Sequence, residues 1–247
     1  MIVKHCESGW EIVSHYAHGL LAGKIASQLK SRWMPEHWVD VLTGIIEHDD
    51  HLLDFEEKNY LTENGTPKDF TMEGGSDSET LEHARRVYSN SMQKSQMIAY
   101  LTGRHLEFLY ATLAESYAPM RELLDEIESL RKSQRKLYGL TKKEAGHVYD
   151  MMLFSDRCSL ILCQDKVPEV GRKLEVNKTI NGEQFFICRT GEGNLTVEPW
   201  PFETDSFQLD FEYRILDSAT FDDNKSLKTA IDAAQIKMRS YFLKATD

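Results

Sequence analysis

Residues 141–163 read TKKEAGHVYDMMLFSDRCSLILC and give the clearest indication of the fold class. Thr141 and Glu144 have the Thr-x-x-Glu spacing of a capping box, which predicts that a helix begins there. The second half of the segment is almost entirely apolar, so this helix is expected to be central. Asp156 lies within that apolar half. Because an unpaired buried carboxylate is costly, Asp156 is predicted to have a partner.

Helical periodicity extends from this segment towards the N-terminus. Apolar residues recur at helical spacing in four segments: residues 16–30, about 35–49, 78–116, and the residues from Pro119 onwards. The polar stretch at 89–95 either interrupts the third helix or lies within it. Residues 50–77 have no such period and are rich in Glu, Asn, Gly and Pro. A loop of this length inside a compact domain is usually functional or partly disordered.

Strand patterns lie on both sides of the helical segments. The predicted strands are residues 2–5 and 10–13, which form an N-terminal hairpin within 1–14, residues 174–180 and 184–189 around Asn181-Gly182, and residues near 195–197 and 207–215. Residues 225–243 are predicted to form a C-terminal helix. The prediction is a single domain, 1–247, of the mainly α class, with a helical core at 16–163 and a small β element at 174–216.

Composition limits the classes of function. Hydrophobic residues make up 41% and charged residues 28%, which is the balance of an ordinary globular protein. No segment approaches the roughly 20 apolar residues that span a bilayer, so a cytoplasmic protein is expected. The net charge of −11 argues against nucleic acid polymers or an anionic membrane as partners. The sequence does not determine the oligomeric state. The cysteines lack Cys-x-x-Cys spacing and are expected to be reduced packing residues: Cys6, Cys158, Cys163 and Cys188.

Several polar side chains fall on apolar helical faces. His48 and Asp49 straddle the apolar stripe of the second helix, and His18 and His105 lie on the apolar faces of two other helices. Taken singly, an inward His is more often a hydrogen-bonded core residue, and an inward Asp is often a cap or part of an ion pair. A divalent metal would satisfy several of these groups at once. The predicted ligands are His18, His48, Asp49 and Asp156, and this His/Asp set suits Mn, Fe or Ni, with Zn and Mg also open.

These residues resemble the His...His-Asp...Asp signature of the HD superfamily of metal-dependent phosphohydrolases. More narrowly, the chain looks like a bacterial family of unknown function with an HD-like core. The matching pieces are His18-Gly-Leu-Leu-Ala, Glu47-His48-Asp49-Asp50, Gly65-Thr66-Pro67-Lys68-Asp69-Phe70, the helix around His105, Asp156-Arg157-Cys158-Ser159-Leu160 and Pro199-Trp200-Pro201-Phe202. Two positions depart from that family's pattern: His51-Leu52 stands where Gly-Trp is common, and His15 stands where Gln is common.

The resemblance implies an HD-like helical bundle and a metal-dependent phosphohydrolase acting on a small phosphorylated molecule or nucleotide. Asp49, His105 and Arg157 are then the expected catalytic residues, with His105 either a further ligand or a donor to phosphate. Arg157, Arg104 and Lys24 lie beside the predicted ligands in sequence and could hold phosphate, but at most one of them is expected to, since most such neighbours face solvent or an acidic partner. His15 and His51 are weaker candidates for the metal site. The alternative is a non-catalytic metal- or ligand-binding protein that uses the same scaffold for sensing or interaction.

Overall fold

A computed structural model describes residues 1–49, 55, 58–72, 75–176 and 180–246. Within these residues the helices are α1 (His15–Ala26), α2 (Trp38–Ile46), α3 (Asp77–Lys94), α4 (Gln96–Ser116), α5 (Ala118–Leu137), α6 (Lys142–Cys163) and α7 (Asn224–Ala233). The strands are β1 (Ile2–Cys6), β2 (Gly9–Val13), β3 (Lys173–Val176), β4 (Phe185–Arg189), β5 (Leu195–Glu198), β6 (Ser206–Leu216) and β7 (Ile236–Lys244). None of the described helices has the length and apolar character needed to cross a bilayer.

The strands form one mixed sheet in the order β1-β2-β6-β7-β5-β4-β3. Neighbouring strands are antiparallel except β5 and β7, which are parallel. This curled seven-stranded sheet makes the protein an α/β fold, so the predicted mainly α class and the HD-like all-α bundle are wrong. The separately predicted hairpins join in a single sheet because β6 and β7, from the end of the chain, lie between them.

The predicted C-terminal helix at 225–243 is the main local error. α7 ends at Ala233, and residues 236–244 form β7, which pairs along its length with β6. Ile236, Met238 and Phe242 alternate along one face of β7. Arg239 lies on the opposite face, where its guanidinium donates to the buried Glu11 carboxylate at 2.6 and 2.7 Å. This charged residue on the inner face hides the two-residue period in the sequence.

The predicted central helix is confirmed. Thr141 and Glu144 form a reciprocal capping box at the start of α6, and the apolar half of the helix is almost completely buried. The interruption in the 78–116 segment is at Ser95, which is extended and caps α4 by accepting a hydrogen bond from the Ile98 N–H at 3.1 Å. α6 and α1 pack together, and α1 also lies on β6, so the main core is formed between these helices and the sheet.

α1 and the end of α2 approach each other unusually closely at Gly19. A Cβ atom at this position would lie 2.1 Å from the carbonyl oxygen of Ile46. Only glycine allows the two helices to come this near without displacement. The contact therefore places His18, which precedes Gly19, next to His48, which follows the C-cap of α2.

Candidate metal centre

Three helical segments bring His18, His48 and Asp156 together. His18 lies in α1, His48 lies in the turn after α2, and Asp156 lies in α6. Nε2 of His18 is 3.3 Å from Nε2 of His48. Oδ1 of Asp156 is 3.2 Å from the first nitrogen and 3.1 Å from the second. Of the residues that the structure describes, these three form a group whose ligand atoms all lie within 4.8 Å of one another.

The hydrogen bonds around the two imidazoles fix which nitrogen faces the group. Nδ1 of His48 lies 2.7 Å from the carbonyl oxygen of Ile45, which can only accept, so this nitrogen carries the proton. The Ser159 hydroxyl donates to the carbonyl oxygen of Asp156 at 2.8 Å. Its oxygen therefore accepts from Nδ1 of His18 at 2.9 Å. In their neutral forms, both imidazoles direct an Nε2 lone pair towards Asp156.

Three acceptor atoms facing one another in a buried site need a cation between them. A proton takes this role at His48. Burial lowers the pKa of His48, but the Asp156 carboxylate, assisted by Asp49 and the Ile45 carbonyl, raises it to about 9. Burial likewise raises the pKa of Asp156, while His48 and His18 together bring it well below its usual range.

The donor set and its spacing fit a divalent metal. Neutral imidazole nitrogens and a carboxylate oxygen are common ligands of first-row metals. Two ligand atoms about 2.1 Å from one ion lie roughly 3.0 Å apart at a right angle and roughly 3.4 Å apart at a tetrahedral angle. The observed separations of 3.1 to 3.3 Å fall within this interval. The backbone and Ser159 partners of the distal nitrogens provide the outer hydrogen bonds that metal-binding histidines usually have.

A cavity of about 570 Å³ lies beside the cluster. His48 and Asp156 line it, together with the predicted site residues Asp49, His105 and His15. Part of the long segment between residues 50 and 77 forms a wall, since Lys58, Tyr60, Lys68 and Phe70 also line the cavity. This segment is tied to the sheet, where the Phe70 N–H donates to the Met1 carbonyl at 2.9 Å.

Asp49 lies beside the three-residue group without being a member of it. Its Oδ2 is 3.4 Å from Nδ1 of His15, whose side chain is almost completely buried. Burial raises the pKa of Asp49, against the opposing effects of His48 and His18. The geometry therefore supports three of the four predicted ligands directly, and Asp49 as a ligand stays a prediction.

His105 reaches the cavity from α4. Its ring centroid is 5.2 Å from that of His48, and the two rings meet edge to face. Within the described part of the chain, its buried Nδ1 has no hydrogen-bond partner. Burial and the positive charge of His48 lower the pKa of His105 to about 4, so its imidazole is neutral and has a free nitrogen for a ligand or a metal.

The basic residues predicted beside the ligands do not line the cavity. Lys24 donates to the backbone and carboxylate of Asp210 at 2.8 and 2.9 Å, and Arg104 lies over the Tyr149 ring at 4.6 Å. Arg157 is also absent from the cavity lining that the described residues form. The lysines that do line the cavity are Lys58 and Lys68. Sequence periodicity could not reveal them, although Lys68 lies in one of the pieces that carry the family resemblance.

His51 lies outside the described residues. Its predicted role as a weaker candidate for the metal site therefore stays a prediction.

The fold and site define an α/β protein with a buried His/His/Asp cluster under a cavity. A family model described as a protein of unknown function, DUF3891, matches residues 1–218. The match covers most of the chain, so the protein belongs to the DUF3891 family. No curated protein and no solved structure matches the chain.

Proposed function

We propose that this protein is a metal-dependent phosphohydrolase that acts on a small phosphorylated molecule. The observation that carries the proposal is the convergence of the Nε2 atoms of His18 and His48 and Oδ1 of Asp156 beside the cavity, which His48 and Asp156 line. Their order along the chain, with Asp49 after His48, resembles the HD ligand signature. Here these residues lie on helices packed against a sheet, so the resemblance concerns the ligand set and not the whole fold.

A divalent ion bound to this cluster would polarise a phosphoryl oxygen and lower the pKa of a coordinated water towards neutrality. Asp49 lies on the cavity wall beside the cluster, where its carboxylate can accept a proton from the attacking water. Its raised pKa makes it a stronger base than an exposed aspartate. The neutral His105 can donate a hydrogen bond to the substrate from the same side.

Two cations on the cavity wall suit an anionic substrate. Lys58 and Lys68 come from the segment between residues 50 and 77, and Nζ of Lys68 donates to the Asn59 carbonyl at 3.1 Å. A cavity of about 570 Å³ is within the usual range for a small-molecule site. The substrate is therefore proposed to be a small phosphate ester and not a polymer, and the phosphate would bridge the cluster and the lysines.

The test is a panel of phosphomonoesters, nucleotides and cyclic dinucleotides, assayed with Mn, Fe, Ni, Zn or Mg. His48→Ala and Asp156→Ala are expected to abolish both metal loading and turnover. Lys68→Ala is expected to weaken substrate binding while metal loading is retained. His5→Ala is the matched control, because this histidine lies on β1 against the Trp10 ring. Metal binding without turnover across the panel would instead favour the non-catalytic sensor or interaction protein.

A further inference from the structure

α5 lies at the edge of the molecule. Its buried side chains, Met120, Leu123, Leu124, Ile127 and Gln134, face α4 and α3. The opposite face is exposed and carries an ordered arrangement of charges. Glu122 and Asp125 lie in its N-terminal half, and Lys132 and Lys136 lie in its C-terminal half. The described residues provide none of these four side chains with an ion pair.

Ser129 is the midpoint of this face. Glu122 precedes it by seven residues and Lys136 follows it by seven, which is about two helical turns in each direction. Asp125 and Lys132 lie four residues before it and three after it. The acidic residues Glu122 and Asp125 therefore correspond, within one residue, to the basic residues Lys136 and Lys132, so these four positions exchange charge when the helix direction is reversed. This is the property that a two-fold symmetric contact between identical surfaces requires.

The centre of the face carries two serines, Ser129 and Ser133. The Ser129 hydroxyl donates to the Glu126 carbonyl at 2.6 Å, and the Ser133 hydroxyl donates to the Leu130 carbonyl at 2.7 Å. Both hydroxyls thus turn back onto the helix itself. Small residues at the crossing point allow two helices to approach closely, with the longer charged side chains on either side.

We propose that this face of α5 binds a second copy of the chain, with the two α5 helices antiparallel and crossing at Ser129. In that arrangement Lys136 of one copy lies at the height of Glu122 of the other. Lys132 lies within one residue's rise of Asp125 in the second copy. Two-fold symmetry doubles both pairs, so four ion pairs surround the contact. An unrelated partner would have no reason to match the mirrored spacing about Ser129.

The first test is the mass of the wild-type protein by sedimentation velocity across a concentration series. A reversible monomer–dimer equilibrium is expected at low ionic strength. The dissociation constant of the dimer should increase by at least about tenfold at high salt, because salt screens exposed charges. A monomer at every concentration in low salt would overturn the proposal.

The second test reverses the charges. Lys132→Glu with Lys136→Glu, and separately Glu122→Lys with Asp125→Lys, should each weaken the dimer by about tenfold or more, since all pairs become repulsive. An equal mixture of the two variants restores every pair and should form a heterodimer about as stable as the wild-type dimer. A mixture that stays monomeric contradicts the antiparallel arrangement.

The control makes the same change of charge away from this face. Lys142→Glu with Lys143→Glu alters exposed residues in the first turn of α6 and should leave the dimer unchanged. Circular dichroism establishes that each variant is folded. If a double variant does not fold, the single variant Lys136→Glu or Glu122→Lys is used in its place. A dimer weakened equally by the control and by the α5 variants would show a net-charge effect and not this contact.

Discussion

Ser159 determines which nitrogen of His18 carries the proton. Its hydroxyl proton is donated to the Asp156 carbonyl, so its oxygen accepts from Nδ1 of His18, and Nε2 is left facing the cluster. Ser159 also lies one helical turn after Asp156 in α6. One side chain therefore orients an imidazole from α1 against a carboxylate from its own helix.

Replacing Ser159 should weaken metal binding without removing a ligand. Ser159→Ala is expected to lower the affinity for a divalent metal by about 10- to 100-fold, as is usual when the outer partner of a ligand is lost. Titration calorimetry of the metal-free protein measures the change. Ser155→Ala is the matched control, because Ser155 is also fully buried in α6 but its hydroxyl has no partner among the described residues. An equal loss of metal affinity in the two variants would mean that Ser159 does not orient His18.

Metal affinity should rise with pH. A metal ion must displace the proton that His48 binds with a pKa of about 9. Below that pKa, affinity should increase by about tenfold for each pH unit, so competition titrations between about pH 6 and 8 should show this slope. The pKa of Asp156 is well below this range and adds no slope. An affinity that is constant over the interval would mean that His48 is not a ligand.

The close approach at Gly19 should be essential for both stability and metal binding. Gly19→Ala forces a Cβ into the Ile46 carbonyl and should destabilise the fold by about 1–3 kcal/mol. It should also weaken metal binding, since it separates His18 from His48. Gly146→Ala in α6 provides the contrast, because a Cβ there meets nothing within 4 Å. That variant should stabilise the protein by about 0.5–1 kcal/mol. Urea denaturation distinguishes the two outcomes.

The ion pair between Glu11 and Arg239 should stabilise the sheet across three strands. Arg239 of β7 reaches over the Tyr213 ring of β6, 4.7 Å from its centroid, to the Glu11 carboxylate on β2. Glu11→Ala leaves the guanidinium without this partner and should cost about 3 kcal/mol in the free energy of unfolding.

The comparison for this prediction is an exposed ion pair. Lys228→Ala breaks the contact between Lys228 and Asp232 in α7 and should cost less than about 0.5 kcal/mol. If the two variants have similar unfolding free energies, the Glu11 pair does not stabilise the sheet.

Local signals predicted much of the structure. The Thr141 and Glu144 spacing identified the start of α6. The pairing of β3 with β4 around Asn181-Gly182 was also predicted, but the predicted strand 174–180 is too long, because β3 ends at Val176 and Ile180–Gly182 form a short 3-10 helix. All four predicted ligands came from polar residues on apolar faces, and three of them lie together in the structure: His18, His48 and Asp156. These features depend on neighbours within a few turns of one helix or strand, so the sequence alone contains them.

Long-range contacts account for what the sequence did not reveal. Arg239 can occupy the inner face of β7 only because Glu11 approaches it from β2, near the other end of the chain. Lys58 and Lys68 line the cavity because their aperiodic segment is held against the sheet. The position of Ser159 could have been found, since it lies three residues after Asp156 on the same helical face.

The strand order also constrains how the protein can form during synthesis. β7 comes last among the strands but lies between β6 and β5, so each of them has an unpaired edge until residues 236–244 have left the ribosome. α1, α2 and α6 are complete well before that point, and the cluster of His18, His48 and Asp156 can form on them. An open strand edge is prone to pairing with other chains. A nascent chain in which His18, His48 and Asp156 have already come together would therefore still need protection from aggregation until β7 inserts.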